Sequence, residues 1–283
     1  MGKHKKTILA CGALATAGIP FLWWQNNGIE LTGITIRDSR IPHAFDGYRI
    51  AHISDLHNKE FGKEQERLLS LTREAAPDII VITGDLINDG RDISHAVEFV
   101  KGAVSIAPVY YVAGNHEYHS GRYGELSEKM RRFGVHILDD DWTLLQKHGE
   151  EIVLLGALDP RFTSGYFRYD SVDFRFSQAL KKLSEAGKDR YSILLSHRPE
   201  MMETYASRGF HLVFAGHAHG GQVRIPKKGG LIAVGQGLFP QYTSGLYYER
   251  GTFMVVSRGL GNSSCPVRIF NRPEIIIAVL SSQ

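Results

Sequence analysis

Five short stretches hold the residues that could do chemistry. They are Ser54-Asp55-Leu56-His57, Thr83-Gly84-Asp85, Gly114-Asn115-His116-Glu117, Ser196-His197 and Gly216-His217-Ala218-His219. Each follows an apolar run, as in Leu212-Val213-Phe214 before the last. In open α/β sheets the carboxyl ends of strands form the ligand crevice. One sheet edge would then gather the Asp55 and Asp85 carboxylates, the Asn115 carboxamide, and the imidazoles of His57, His116, His197, His217 and His219. Buried imidazoles and carboxylates need partners. A pair of divalent cations supplies them. Nitrogen and oxygen ligands without thiolate suit Mn²⁺, Fe or Zn²⁺ and disfavour Ca²⁺. The residues divide naturally: Asp55, His57 and His219 on one ion, Asn115, His197 and His217 on the other, and Asp85 bridging through its two oxygens. With a shared hydroxide the site keeps a surplus of about +1, which attracts an anionic phosphate. Asn115 preserves that surplus, because an aspartate there would cancel it.

Any one of these residues alone reads as a strand-end cap or a satisfied histidine. The whole set at matching positions does not. His43, His52, His95, His136, His148 and His211 read as structural or solvated. His119 mimics a ligand spacing after His116 but reads as surface. Glu117 reads as orienting a neighbour, and Gly259-Leu260-Gly261-Asn262 as either a site border or a plain turn.

Strands and helices must position these groups. The spacing predicts strands over 48–54, 79–82, 109–112, 192–196, 211–215, 253–257 and 274–280, with short ones near 135–138, 142–146 and 151–156. Ile79-Ile80-Val81-Ile82 reads as buried on both faces. Helices are predicted over 63–78, 92–108, 123–133 and 173–187. Apolar stripes support them at Leu68, Leu71 and Ala75, at Ile93, Ala96, Val97, Val100 and Val104, and at Phe176, Ala179, Leu180 and Leu183. Asp92 is the expected N-cap of the second helix. Alternation early and adjacent strands late imply two mixed sheets between helices.

The chain has 283 residues, enough for one large α/β domain. A net charge of +3 does not indicate a nucleic-acid partner. Its two cysteines, Cys11 and Cys265, imply no disulfide framework. The first residues differ from the rest. Lys3, Lys5 and Lys6 precede an uncharged run, residues 7–24, that ends in Trp23-Trp24. As a helix it would reach about 27 Å, near the hydrocarbon thickness. No Lys or Arg follows until Arg37, so charge asymmetry puts the N-terminus in the cytoplasm and the main domain outside. The expected organisation is a membrane anchor or signal segment over 1–29 and a catalytic domain over 30–283. Ala15-Thr16-Ala17 offers an alternative, cleavage and secretion.

The five blocks together resemble the calcineurin-like metallophosphoesterases, whose pattern is D-x-H, G-D, G-N-H-[D/E], a lone H, then G-H-x-H. All stand in order here, and the resemblance spans roughly 45–280. "HRPEMMETYASRGFHLVFAGHAHGGQ" and "VSRGLGNSSCPVRIFNRPEI" look most like a small bacterial membrane-tethered branch, similar to wall-associated phosphoesterases and UDP-diacylglucosamine pyrophosphohydrolases. The resemblance implies an α/β (α+β four-layer) fold, a β-sandwich of two mixed sheets flanked by helices, here with an N-terminal membrane helix. It implies two-metal hydrolysis by a metal-activated hydroxide attacking phosphorus in line. It makes His116 the proton donor to the leaving group or a stabiliser of the transition state.

The Gly-rich, aromatic segment 222–250 follows the last ligands directly. It is expected to form a substrate wall, with Arg224 near the phosphate and Phe239, Tyr242 and Tyr247 against the leaving group. The plainer reading is a packed surface hairpin. Arg161, Phe162 and Arg168 read as a solvated loop. Three functions fit: a phosphodiesterase or phosphomonoesterase acting on a membrane- or envelope-linked ester, a UDP-2,3-diacylglucosamine pyrophosphohydrolase with a cytoplasm-facing site, and a non-catalytic scaffold on the same fold. Intact ligands and His116 count against the scaffold.

Overall fold

A computed structural model describes residues 18–90, 92–164, 174–262 and 266–283. Residues 7–17 of the expected anchor, the Ala15-Thr16-Ala17 motif, Arg168 and both cysteines lie outside the described residues.

Two six-stranded mixed sheets pack face to face. The first contains β1 (Glu30–Arg37), β2 (Arg49–Ile53), β3 (Ile79–Thr83), β4 (Val109–Val112), β5 (His136–Ile137) and β16 (Glu274–Ser281), in the order β1-β16-β2-β3-β4-β5. The second contains β6 (Asp141–Lys147), β7 (Glu150–Gly156), β8 (Tyr191–Leu195), β9 (Leu212–Ala215), β14 (Gly245–Glu249) and β15 (Thr252–Val256), in the order β14-β15-β9-β8-β7-β6. β2, β3 and β4 run parallel, as do β7, β8 and β9. The parallel strands therefore present their carboxyl ends along common edges.

Side-chain alternation explains the layers. In β3, Ile79 and Val81 face the other sheet, while Ile80 and Ile82 face the helices. In β8, Ile193 and Leu195 point inward and Leu194 outward. Strands buried on both faces need unbroken apolar runs, as these have. Helices α2 (Glu66–Glu74), α3 (Ser94–Ala103) and α5 (Tyr123–Phe133) cover the first sheet with Leu68, Phe99, Val100, Leu126 and Met130. Helices α7 (Phe174–Ala186) and α8 (Met202–Ser207) cover the second with Phe176, Leu180, Leu183 and Tyr205. The expected sheets flanked by helices are present.

Several elements depart from expectation. Asp92 accepts the Ser94 N–H at 3.1 Å, but Ile93 occupies the cap position of α3. Asn115 does not hang from a strand end. It opens a short helix, α4 (Asn115–Ser120). β1, α8 and β14 lack the apolar alternation that would have marked them. β1, for example, buries only Ile36 fully.

The N-terminal segment also differs from a plain membrane helix. Its described part is helical over 18–27 (α1) and docks on the domain. Asn271 N–H donates to buried Gln25 Oε1 at 3.2 Å, Phe21 meets Phe270 edge-on at 5.8 Å, and Arg272 stacks on Trp24 at 4.6 Å. The polar Gln25-Asn26-Asn27 turn and Gly28 end it. Among the described residues no helix is long and apolar enough to cross a membrane.

Ile193 is fully buried between the sheets. Ile193→Ala is expected to cost about 2–5 kcal/mol, from lost burial and the cavity left behind. Urea unfolding of the two proteins measures it, and a midpoint unchanged at equal slope would contradict the packing described.

Candidate metal centre

The ends of five strands meet at one rim. β2 leads into Asp55 and His57, β3 into Asp85, and β4 into Asn115 through Gly114. From the second sheet, β8 leads into His197 and β9 into His217 and His219. The donor atoms of Asp55, His57 and His219 lie within 4.8 Å of one another, and so do those of Asp85, His197 and His217. His57 Nε2 is 3.1 Å from His219 Nε2, which is 3.4 Å from Asp55 Oδ1. His197 Nε2 is 3.1 Å from both His217 Nδ1 and Asp85 Oδ2. Asp85 Oδ2 also lies 3.8 Å from His57 Nε2, so one oxygen faces both groups. The other, Oδ1, accepts the His116 backbone N–H at 2.8 Å. Asp85 thus faces both donor groups, as a residue shared between two ions would.

Outer hydrogen bonds fix which ring nitrogen faces the rim. His197 Nδ1 donates to the Thr83 carbonyl at 2.6 Å, and His57 Nδ1 donates to Asn88 Oδ1 at 3.2 Å. His57 Nε2 is then a lone pair aimed inward, and His197 Nε2 faces Asp85 Oδ2 with the proton that a metal ion would displace. Arg198 Nη1 lies 2.7 Å from His217 Nε2, and His217 Nδ1 faces His197. Asp159 holds Arg198 in turn at 2.6 Å. Asn115 Oδ1 is buried with no hydrogen-bond partner. Carboxylates, imidazoles and the unpartnered Asn115 oxygen thus converge on one rim, and a cation can satisfy their inward atoms together. This donor set fits divalent metal.

Burial and charge shift the imidazoles. Burial pushes His57 and His219 down to about 3, and His217 well below its usual value with the Arg198 guanidinium adding to the effect. Burial would also depress His197, but the adjacent Asp85 charge and hydrogen bond reverse this and raise it to about 10. Glu117 braces the rim from below. Its carboxylate accepts the N–H groups of Asp85, Leu86 and Gly114 at 2.7–2.8 Å. Burial, then the Asp85 charge, pushes that carboxyl up to about 7, against those donors.

The backbone is strained where it turns to present the ligands. Asp55, His57, Asp85, His217 and His219 all have positive φ, between 48° and 64°. For residues with a Cβ this costs on the order of 1–3 kcal/mol each and persists only where surroundings enforce it. Close approach enforces it here. A Cβ on Gly216 would run into Ser54 Oγ and the Asp55 carboxylate, and one on Gly114 into Asp85. Gly259-Leu260-Gly261 is a border of the site: Leu260 N–H donates to Ser54 O at 3.1 Å and Gly261 N–H to Asp55 O at 2.6 Å.

His116 stands at the mouth. Its ring meets His57 edge-on at 4.7 Å, and its Nδ1 lies 2.9 Å from Asp89 Oδ1. It can approach His57 and Asp85 as a third potential ligand group. Asp89 was missed in the sequence, as were Asn88, Asp159, Arg198 and Asn271. Asp89 had a signal, a second carboxylate four residues beyond Asp85. The others carry no motif. Arg224 lies beside the centre but is spent on Gly220 O (2.9 Å) and Thr243 Oγ1 (3.3 Å). Tyr242 and Tyr247 pair at 5.1 Å and pack on the outer core of the second sheet, and the Tyr247 hydroxyl accepts the Thr243 N–H at 3.0 Å. His52 is structural, with Nε2 2.8 Å from Thr83 Oγ1, and His119 is exposed on α4.

Residues 48–221 match the calcineurin-like phosphoesterase family. The chain belongs to that family. An uncharacterized metallophosphoesterase of Bacillus subtilis, YkuE, is 31% identical over 97% of this chain and 94% of its own length. A zebrafish (Danio rerio) transmembrane protein with a metallophosphoesterase domain is 25% identical over 99% of this chain and 63% of its own length. The fold is shared with TT1561 of Thermus thermophilus, at TM-score 0.50 and 15% identity over 75% of this chain and 90% of that one. The protein is thus a metal-dependent phosphoric ester hydrolase.

The buried imidazoles give the metal-free protein a defined pH dependence. His52, like His57 and His219, is pushed to about 3 by burial. Each is neutral in the fold and takes up a proton on unfolding below about pH 6.5. Stability is therefore lost as pH falls from 6.5 toward 3, by at most about 1.4 kcal/mol per unit for each group. His197, raised to about 10, works in the opposite sense, its contribution being present below 6.5 and lost toward 10, and Glu117, raised to about 7, gains stability as pH falls from 7 toward 4.5, offsetting part of the loss from the three imidazoles. The melting temperature of chelator-treated protein should drop between pH 7 and pH 5, and less so in His52→Asn. Equal melting temperatures at both pH values would refute the assignment.

Proposed function

We propose that the protein is a dinuclear phosphoesterase acting on a phosphodiester or phosphomonoester at the membrane or cell envelope. The observation that carries this reading is Asp85 Oδ2, which faces His57 Nε2 of one donor group and His197 Nε2 of the other. Asp55, His57 and His219 would hold one ion, and Asn115, His197 and His217 the second, with Asp85 shared. Divalent cations held there supply charge for the phosphoryl oxygens and lower the pKa of a water.

The remaining steps belong to the chain. His197 and His57 keep their inward nitrogens free through Thr83 O and Asn88. Glu117 fixes the Asp85 turn and the start of α4 together, so both carboxylate and carboxamide stay aligned. His116 delivers a proton from Nε2 to the leaving oxygen, because Nδ1 is engaged by Asp89. General acid catalysis of this kind contributes roughly 10²–10⁴-fold. Asp89 acts as a positioning residue that orients the ring. The apolar run 7–24 and the zebrafish relative's printed description as a transmembrane protein support the membrane location.

Two experiments test this. Metal-stripped full-length protein is reloaded with Mn²⁺, Fe²⁺ or Zn²⁺ and assayed on bis-p-nitrophenyl phosphate, with metal content measured in parallel. Hydrolysis should require metal, with two ions bound per chain. A single ion at saturation would remove the dinuclear reading, and no turnover with any metal would favour a scaffold.

The variants separate roles. Asp85→Ala should lose both ions. His116→Ala should keep both while kcat falls by roughly 10²–10⁴-fold. Loss of metal in His116→Ala would instead make it a ligand. Asp89→Asn should lower kcat less than His116→Ala and shift its pH profile, which a purely structural role would leave in place.

A further inference from the structure

Exposed apolar side chains gather beside the metal centre. On α1 they are Ile19, Trp23 and Trp24, and on the neighbouring segments Phe270, Leu238 and Phe239, all at least 46% exposed. They are linked through the backbone. Phe270 touches Phe21 of α1, and Ile269 O accepts the Arg224 N–H at 3.0 Å. Leu231 N–H donates to Val223 O at 2.8 Å, and Phe239 N–H to Leu231 O at 2.9 Å. Leu238 pairs with Ile232 across a two-stranded hairpin, β12 (Ile232–Ala233) and β13 (Gly237–Leu238). Large contiguous apolar patches on a soluble domain mark an interaction surface.

The surroundings say what covers it. The segment from Gln222 to Tyr248 carries Arg224, Lys227 and Lys228 and no acidic residue. Lys227 and Lys228 are exposed in the turn between β10 (Arg224–Ile225) and β11 (Gly229–Gly230). An apolar patch with a basic rim matches an anionic bilayer surface, where tryptophan and phenylalanine enter the headgroup layer and lysines meet the lipid charge. The uncharged sequence run ends at Trp24, within this patch. A chain leaving a bilayer there would set the patch against it.

We propose that this face, made by α1, Phe270 and the 231–239 hairpin, lies on the phospholipid bilayer. The contact is built into the same layer as the site. Asn271 Nδ2 donates to His219 O and Gln222 O, both at 2.8 Å, and Asn271 N–H donates to Gln25 Oε1. The turn that carries His217 and His219 is thereby tied to the bilayer-facing elements. The inference rests on the membrane reading of the function but goes beyond an anchor, since it assigns the catalytic domain's own surface.

The test uses full-length protein with Cys11→Ser and Cys265→Ser, and a single labelling site at Phe239→Cys or, as a control, Trp142→Cys. Trp142 is exposed on β6, the edge strand farthest from β14. Each carries an environment-sensitive fluorophore and is mixed with phosphatidylcholine–phosphatidylglycerol vesicles containing spin-labelled lipid. The label at 239 should be quenched severalfold more than that at 142, and be less accessible to iodide. A vesicle-bound chain with equal quenching at both positions overturns this inference alone. A chain that does not bind vesicles overturns it together with the membrane reading. A label at 239 shielded from both quenchers assigns the patch to protein contact and also overturns it.

Discussion

The constraint on which the rim depends is a set of buried imidazoles and carboxylates whose inward atoms face one another. His57 Nε2 looks at His219 Nε2, and His197 Nε2 looks at Asp85 Oδ2, because the outer nitrogens are already committed to Asn88 and Thr83. Each such pair needs a proton or a cation between its two atoms. In the metal-free state only protons can take that place, which is why burial and Asp85 drive neighbouring imidazoles in opposite directions. The centre is thus a demand for cations created by the fold, and the fold must be stiff enough to hold it open.

The two-sheet architecture supplies that stiffness. Candidate ligands arrive from β2, β3 and β4 on one side and from β8 and β9 on the other, so the packed interior between sheets fixes the distance between donor groups. No ligand sits on a long free loop. Each lies within a few residues of a strand end that is buried on both faces. The local cost appears in the backbone, where five ligands take left-handed conformations. Gly114 and Gly216 are required because the opposing turns touch, and Glu117 collects the amide groups of both sides of the Asp85 turn. A rim with this much strain and this many buried titratable groups is held by the sheets beneath it.

Much of this was legible in the residues, for a physical reason. Strands buried on both faces must be continuous apolar runs, and ligands at their ends must interrupt those runs with Gly, Asp, Asn or His. That contrast located β2, β3, β4, β8 and β9 and the residues after them. Where the contrast is absent, the sequence was silent. β1 alternates in burial but places Glu30 and Thr32 at its first inward positions, and α4 is too short for a stripe. Arg198, Asp159 and Asn271 act by reaching across from other segments, and pairings distant in the chain leave no local trace. Tyr242 and Tyr247 show a further limit: aromatic composition near a site does not tell whether the rings face it or the core.

The N-terminal segment carries the same lesson into the link between location and chemistry. An apolar run ending in paired tryptophans predicts a helix that belongs to the lipid. Its last turn instead belongs to the protein, since Gln25 is buried against Asn271 and Lys59 donates to the Asn26 carbonyl. Asn271 is in turn bonded to the backbone of His219, so two hydrogen bonds separate the helix from a ligand of the centre. An anchor joined by a slack linker would leave the catalytic rim free to face any direction. The proposed anchor, joined through Gln25 and Asn271, would fix the rim relative to the surface it entered, and so would limit the phosphate esters the rim could meet.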